Sequence, residues 1–294
     1  MDYRIRALPL LLAALLPVPV LAQSKPASVY VSVLDAKGEP AAGLTVADFS
    51  VREDNVAREV LKVSPATEPL SIALLVDDSQ AASLGNLTQM IREGLKDFIT
   101  TIGGHGEIAI VSFGERPTIL VNYSRTQKQL LDAADRIFPR TGSGSYLLDA
   151  IVDVSKGLQK RAAARRVIAV LMIEDVEFSN RYYEQVLDEL DKSRAALHVI
   201  AIGQPTGSQT DEVRNRNQVI AVGTERTGGR RDQVLAYTAV PPKMKQLANE
   251  LIHQYVVTYA RPDRLIPPEK VDITVTKPGF TVRAPRRTSL TASR

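Results

Sequence analysis

The sequence predicts a doubly wound α/β fold with a mostly parallel sheet, inserted into a small β-sandwich made from both ends of the chain. Four nearly continuous apolar runs, LSIALLV (70–76), EIAIVSF (107–113), VIAVLMI (167–173) and LHVIAIG (197–203), suit parallel strands covered on both faces. Stretches with apolar residues at helical spacing lie between them. Before and after this block the pattern turns to short alternating segments, too few at either end to bury a core alone.

The chain opens with Arg4 and Arg6, then an apolar stretch interrupted by Pro9, Pro17 and Pro19, then Val20-Leu21-Ala22. Residues 1–22 therefore read as a secretory signal peptide cut before Gln23, which implies a secreted or periplasmic protein. The stretch is short and proline-broken for a membrane anchor, and no later segment is long and apolar enough to span, so the mature chain is expected to have no transmembrane segment. SVYVSVLD, DFSVRED and VAREVLKVS then read as β segments, closing at Ser64-Pro65.

After the first apolar run, Leu87, Ile91, Leu95 and Phe98 form one helical stripe, and residues 126–138, 146–159 and 181–193 repeat the pattern. PTILVNYS (117–124) follows its predecessor too closely for a crossover and is expected as an antiparallel edge strand. KMKQLANELIH reads as the last helix, and YVVTYA, VDITVT and FTVRA return to strand patterning. Two units follow: a discontinuous β-sandwich over 28–66 plus 255–290, and an α/β domain over 67–254.

Of 294 residues, 44% are apolar and 24% charged, which describes a globular chain. The formal charge of +4 falls to +3 when residues 1–22, with two Arg and one Asp, are removed. Its arginine clusters have no interleaved aromatics, so no nucleic-acid partner is expected. The absence of cysteine excludes disulfides, thiolate metal ligands and thiol nucleophiles.

In such a sheet, ligands sit at the carboxyl ends of the strands. Three loops should meet there: Asp77, Asp78 and Ser79 after the first strand, Thr141–Ser145 before a helix, and Glu174 and Asp175 after VIAVLMI. Carboxylates and hydroxyls from such loops are hard oxygen donors of the kind Mg²⁺ or Mn²⁺ accepts. Each has a plainer use as well: Ser145 as a helix N-cap, Asp149 as a first-turn acid, Asp77 as a loop-ordering carboxylate.

Five segments taken in order carry a family resemblance. They are VSVLDAKGEPAAGLTVADFSVREDN, SIALLVDDS, GSYLLDAI, GTERTGGR and LANELIHQYVVTYARP. By them the chain resembles the VWFA-related domain proteins, a secreted bacterial group built on the von Willebrand factor type A fold. The resemblance implies a metal-ion-dependent adhesion site with the pattern Asp-x-Ser-x-Ser, a later Thr, and an Asp usually followed by Gly. Asp77 and Ser79 match; Ala81 stands in place of the second serine; Ser145 stands for the threonine; Asp175 matches, with Val176 for the glycine.

Two readings stay open for this degenerate site. Either it holds Mg²⁺ or Mn²⁺ with water in place of the lost hydroxyl and charge added by Asp78, Glu174 and Glu177, or it binds without metal. The resemblance implies a protein-binding, adhesive module whose partner completes a bound cation's shell with an acidic side chain. A metal-independent scaffold of the cell envelope is the other function considered. No enzyme is expected: His105, His198 and His253 fall in a turn, a strand and a helix end, and no nucleophile elbow or His-Glu-x-x-His helix occurs.

Overall fold

The computed structural model describes residues 24–205, 207, 210–263 and 268–286. The signal-peptide reading of 1–22 lies outside the described residues, as do positions 287–290 of the sandwich range. The α/β unit contains β5 (Leu70–Val76), β6 (Gly106–Ser112), β7 (Thr118–Ser124), β8 (Arg165–Ile173), β9 (Ala196–Ile202) and β10 (Arg231–Val234). They form one mixed sheet in the order β10-β9-β8-β5-β6-β7. All neighbours are parallel except β6 and β7, the antiparallel edge expected from the short connection.

The apolar runs are continuous because alternate residues enter two separate cores. Ile72, Leu74 and Val76 pack with α1 (Leu87–Ile102), α2 (Gln127–Asp135) and α6 (Val240–Ile252). Ala73 and Leu75 pack with α3 (Leu147–Gln159), α4 (Tyr183–Ser193) and α5 (Asp211–Thr227). Each large side chain so covered contributes about 1.5–3 kcal/mol.

Helix α5 and strand β10 have no counterpart in the sequence-based assignment. Helix α5 buries Arg216 and Thr224 alongside Val213, Val219 and Ile220, so its inward face is not an apolar stripe. It ends at Gly228, whose φ of +71° favours glycine. A Cβ on the following Gly229 would collide with the Leu197 carbonyl, which explains the paired glycines of TGGR.

The two ends of the chain supply the remaining strands: β1 (Ser24–Leu34), β2 (Phe49–Glu53), β3 (Val56–Arg58), β4 (Val60–Pro65), β11 (Tyr255–Pro262), β12 (Val271–Val275) and β13 (Thr281–Arg283). They form a sheet β13-β1-β11-β4 and a sheet β12-β2-β3. Val29, Val31, Phe49, Val51, Val257 and Ile273 share the core of these sheets. The segment VAREVLKVS divides at Glu59, giving one strand to each sheet. Asp54 and Asn55, with φ of 47° and 67°, make the tight turn between β2 and β3.

The sandwich attaches where β5 begins and α6 ends, so it lies at the amino edge of the parallel strands. The carboxyl edge, where the candidate residues lie, faces away from it.

Candidate functional site

Asp77 follows β5 and is fully buried. Its Oδ1 accepts from the Ser79 amide at 2.9 Å and its Oδ2 from the Ile173 amide at 3.1 Å, tying the first loop to the end of β8. Burial raises its pKa, partly offset by these bonds. The Ser79 hydroxyl is buried and makes no hydrogen bond of ordinary geometry, but it lies close enough to the Asp77 carboxylate to hold its pKa down in part.

Ser145 comes to the same edge from the loop before α3. Its amide donates to the Val176 carbonyl and its carbonyl accepts from the Phe178 amide at 2.7 Å, while Tyr146 N–H bonds the Phe113 carbonyl after β6. The N-cap expectation for Ser145 is overturned. Tyr146 occupies the N-cap position of α3 without a side-chain cap, and the Ser145 hydroxyl donates instead to Glu177 Oε2 at 3.3 Å. The parallel bridge between Ser145 and Glu177 holds the serine too far along the loop to cap. Asp149 does lie in the first turn of α3, where it pairs with Arg181 at 2.6 Å.

Asp175 lies two residues beyond Ile173, the residue whose amide bonds Asp77, and is partly exposed. Its carbonyl accepts from Arg216 at 2.7 Å. The hydrogen bonds thus bring Asp77, Ser79, Ser145 and the Asp175 loop to one edge. Ala81 is buried beside them and offers no oxygen.

The acids expected to add charge are otherwise engaged. Asp78 accepts from Gly114 N–H at 2.7 Å and from Arg140 Nε at 2.8 Å. A Cβ at Gly114 would strike the main chain of Asp78 and Ser79, so only glycine permits this approach. Glu174 pairs with the buried Arg216 at 2.8 Å. Glu177 is buried, accepts from Ser179 N–H at 3.1 Å, and is pushed up to about 7, chiefly by desolvation.

Arg140, Arg216 and the Glu177–Ser145 bond are the residues that sequence reasoning missed. Arg140 immediately precedes TGSGS, yet nothing local marks its pairing 62 positions away. A tight Mg²⁺ or Mn²⁺ site needs several carboxylates and hydroxyls free to turn toward the ion. Here two acids are neutralised by arginines, one hydroxyl is bonded to a buried Glu, and one is replaced by alanine. Among the described residues no group of three or more His, Cys, Asp or Glu is arranged to hold a metal. Only the Ser79 hydroxyl, without a hydrogen bond of ordinary geometry, favours an ion, so the donor set fits one poorly.

The rim of this edge is apolar. Among the described residues, six of the ten exposed large apolar side chains lie on its loops: Leu84, Phe138, Val176, Phe178, Tyr182 and Leu235. Phe178 packs at 5.9 Å against Tyr146 and over Gly144, where a Cβ would collide with its ring. A hollow of about 260 Å³ lies beside it, lined by Glu115, Arg140 and the 141–144 loop. No helix of the described residues is long and apolar enough to cross a membrane.

The family model described as von Willebrand factor type A domain matches residues 72–173. No curated protein matches the chain. Among solved structures, a von Willebrand factor type A protein from Catenulispora acidiphila superposes with a TM-score of 0.53 at 8% identity, over 90% of this chain and 74% of that one. Proximal thread matrix protein 1 from the mussel byssus, with a zinc-occupied MIDAS motif, gives 0.51 at 16% identity, over 68% of this chain and 49% of that one. The pilus adhesin SpaC from Lactobacillus rhamnosus GG gives 0.50 at 11% identity, over 82% and 47%. This chain spans about half the length of the latter two, and at such identities the likeness is one of fold. The matched segment runs from β5 to β8, and the six-stranded sheet with its helices has the fold of a von Willebrand factor type A domain.

Proposed function

We propose that this chain is an exported binding module that docks a protein partner on the carboxyl edge of its type A domain, without requiring a divalent ion. The observation that carries the reading is the exposed apolar rim concentrated on that edge. Exposed apolar side chains gathered on the loops of one edge are candidates for an interaction site, and aromatic ones such as Phe178 and Tyr182 supply binding energy at low entropic cost. The adhesin and matrix-protein neighbours support an adhesive role, and the composition of residues 1–22 supports export.

An acidic side chain of the partner would meet Arg140 by displacing the exposed Glu115, 3.3 Å from it, while Asp78 keeps its bond to the same guanidinium. Asp77, Ser79, Ser145 and Asp175 then order the loops that display the rim. We assign 67–254 to this binding domain and 28–66 plus 255–290 to the sandwich that presents it. No turnover is assigned, because the one hydroxyl–carboxylate pair of the edge, Ser145 with Glu177, is buried on both sides and closed to a substrate.

Two experiments test the reading. The triple variant Phe178→Ser, Tyr182→Ser, Leu235→Ser should fold normally, since its positions are exposed, yet lose capture of a partner from an envelope fraction. Wild-type capture should survive a chelator. Equal capture by the variant would end the docking proposal. In calorimetric titration, Mg²⁺ and Mn²⁺ should give no heat with wild type at about 1 mM. Heat abolished by Asp175→Ala would restore the metal-dependent version.

A further inference from the structure

At the opposite edge of the sheet, the starts of β8 and β9 and the ends of α4 and α5 enclose a cavity of about 270 Å³. Tyr30 of β1 and Pro285, beyond β13, complete its wall, so the cavity lies at the junction with the sandwich. Four arginines line it, Arg165, Arg166, Arg194 and Arg226, against one carboxylate, Asp191. Asp191 is itself 3.7 Å from Arg226.

Arg165 and Arg166 bond to neutral oxygens. Arg165 donates to the Glu68 and Leu251 carbonyls and to Gln254 Oε1; Arg166 donates to the Ser193 and Arg161 carbonyls. Neither has a carboxylate at ion-pair distance among the described residues; the Glu68 carboxylate, held at Tyr30, offsets part of the Arg165 charge, and Arg166 has no such counterpart. Arg165 is only 4% exposed, and the Nε of both side chains is buried without an acceptor. Carbonyl dipoles give direction but no net charge, and the C-termini of α4 and α5 offset only about half a charge each. A buried positive excess of this kind is costly until an anion meets it. Val167, Leu190 and Ala195 give the wall an apolar side, with Thr227 and Gln254 as its neutral polar members.

We propose that this cavity binds a small organic carboxylate with an apolar body, its charged end toward Arg165 and Arg166 and its body against Leu190, Val167 and Ala195. The volume of about 270 Å³ suits a small molecule. A bare inorganic anion would leave the apolar side of the wall, Val167, Leu190 and Ala195, without a contact. Because the lining residues come from both units, occupancy stabilises their junction by mass action.

Octanoate, octanol and inorganic phosphate are the probes, in calorimetric titration and thermal unfolding of the chain from Gln23 onward. Octanoate should bind and raise the melting temperature, while octanol and phosphate at the same concentration should not. Arg166→Gln should weaken octanoate about tenfold or more. Ala164→Trp, at an exposed lining position, should block the chamber without touching an arginine and abolish binding. Absence of octanoate binding to wild type, or unchanged affinity in both variants, would overturn the proposal. Phosphate binding as tight as octanoate would overturn the ligand class.

Discussion

Replacing Glu250 with alanine should lower the stability of this protein by about 3–5 kcal/mol, the usual cost of removing one partner from a buried ion pair. Glu250 is 1% exposed on α6, and its Oε2 accepts from Arg230 at 3.2 Å and from Arg283 at 3.0 Å. Arg230 is equally buried and is paired with Asp232 as well. Arg283 lies on β13, so this carboxylate joins helix α6 to the β13-β1-β11-β4 sheet. The triad need not be a large net stabiliser over an apolar core, because desolvation offsets much of its attraction. Its removal is costly for a different reason: the buried Arg230 is left with Asp232 alone, and the partly exposed Arg283 is left beside it without a carboxylate. Urea unfolding of Glu250→Ala and Glu250→Gln checks this, with the glutamine variant expected between alanine and wild type. A loss under about 1 kcal/mol for alanine would mean that the arginines reach solvent when the carboxylate is gone.

His198 should make the fold acid-sensitive by an amount on the order of 4 kcal/mol. The ring lies on β9, fully buried, with neither nitrogen hydrogen-bonded. Burial and then the charges of Arg230 and Arg283 push its pKa down from 6.5 to about 3, against a smaller opposing effect of Asp232. The unfolded chain therefore binds more protons than the folded one between those two values. Stability is complete above pH 6.5 and is lost as the pH falls toward 3. His198→Leu should remove this slope and match or exceed wild-type stability at neutral pH, since it deletes two unpaired buried polar atoms. The difference between variant and wild type is the quantity to read. Glu177, raised from 4.5 to about 7, acts with opposite sign, favouring the fold below 4.5 and losing that contribution as the pH rises through 7. A variant that loses about 2 kcal/mol or more at neutral pH would show that the ring has a partner.

The fold was legible where burial on both faces removes polar residues from a strand. Runs such as LSIALLV and VIAVLMI have no alternation because Leu74 and Leu75 enter different cores. Helix α5 was not legible for the converse reason: Arg216 and Thr224 face inward, and their hydrogen bonds to Asp175 and Ile220 satisfy them there. The last two strand patterns, joined by Lys277-Pro278-Gly279, could be recognised as strands. Their allocation to different sheets, β12 beside β2 and β13 beside β1, could not.

The candidate site divides in the same way. The amino-acid order alone determined that Ala81 brings no hydroxyl and that Asp77 and Asp175 follow apolar strands whose carboxyl ends share one edge, and it led to the expectation that the chain's two ends share a core. Those statements depend on residue type and local period. Tertiary structure alone decided that Asp78 and Glu174 are held by Arg140 and Arg216, that Ser145 turns to Glu177 instead of capping α3, and that exposed apolar side chains ring this edge. The physical reason is that pairing and exposure depend on what distant segments place within a few ångströms of each other, which no local pattern records.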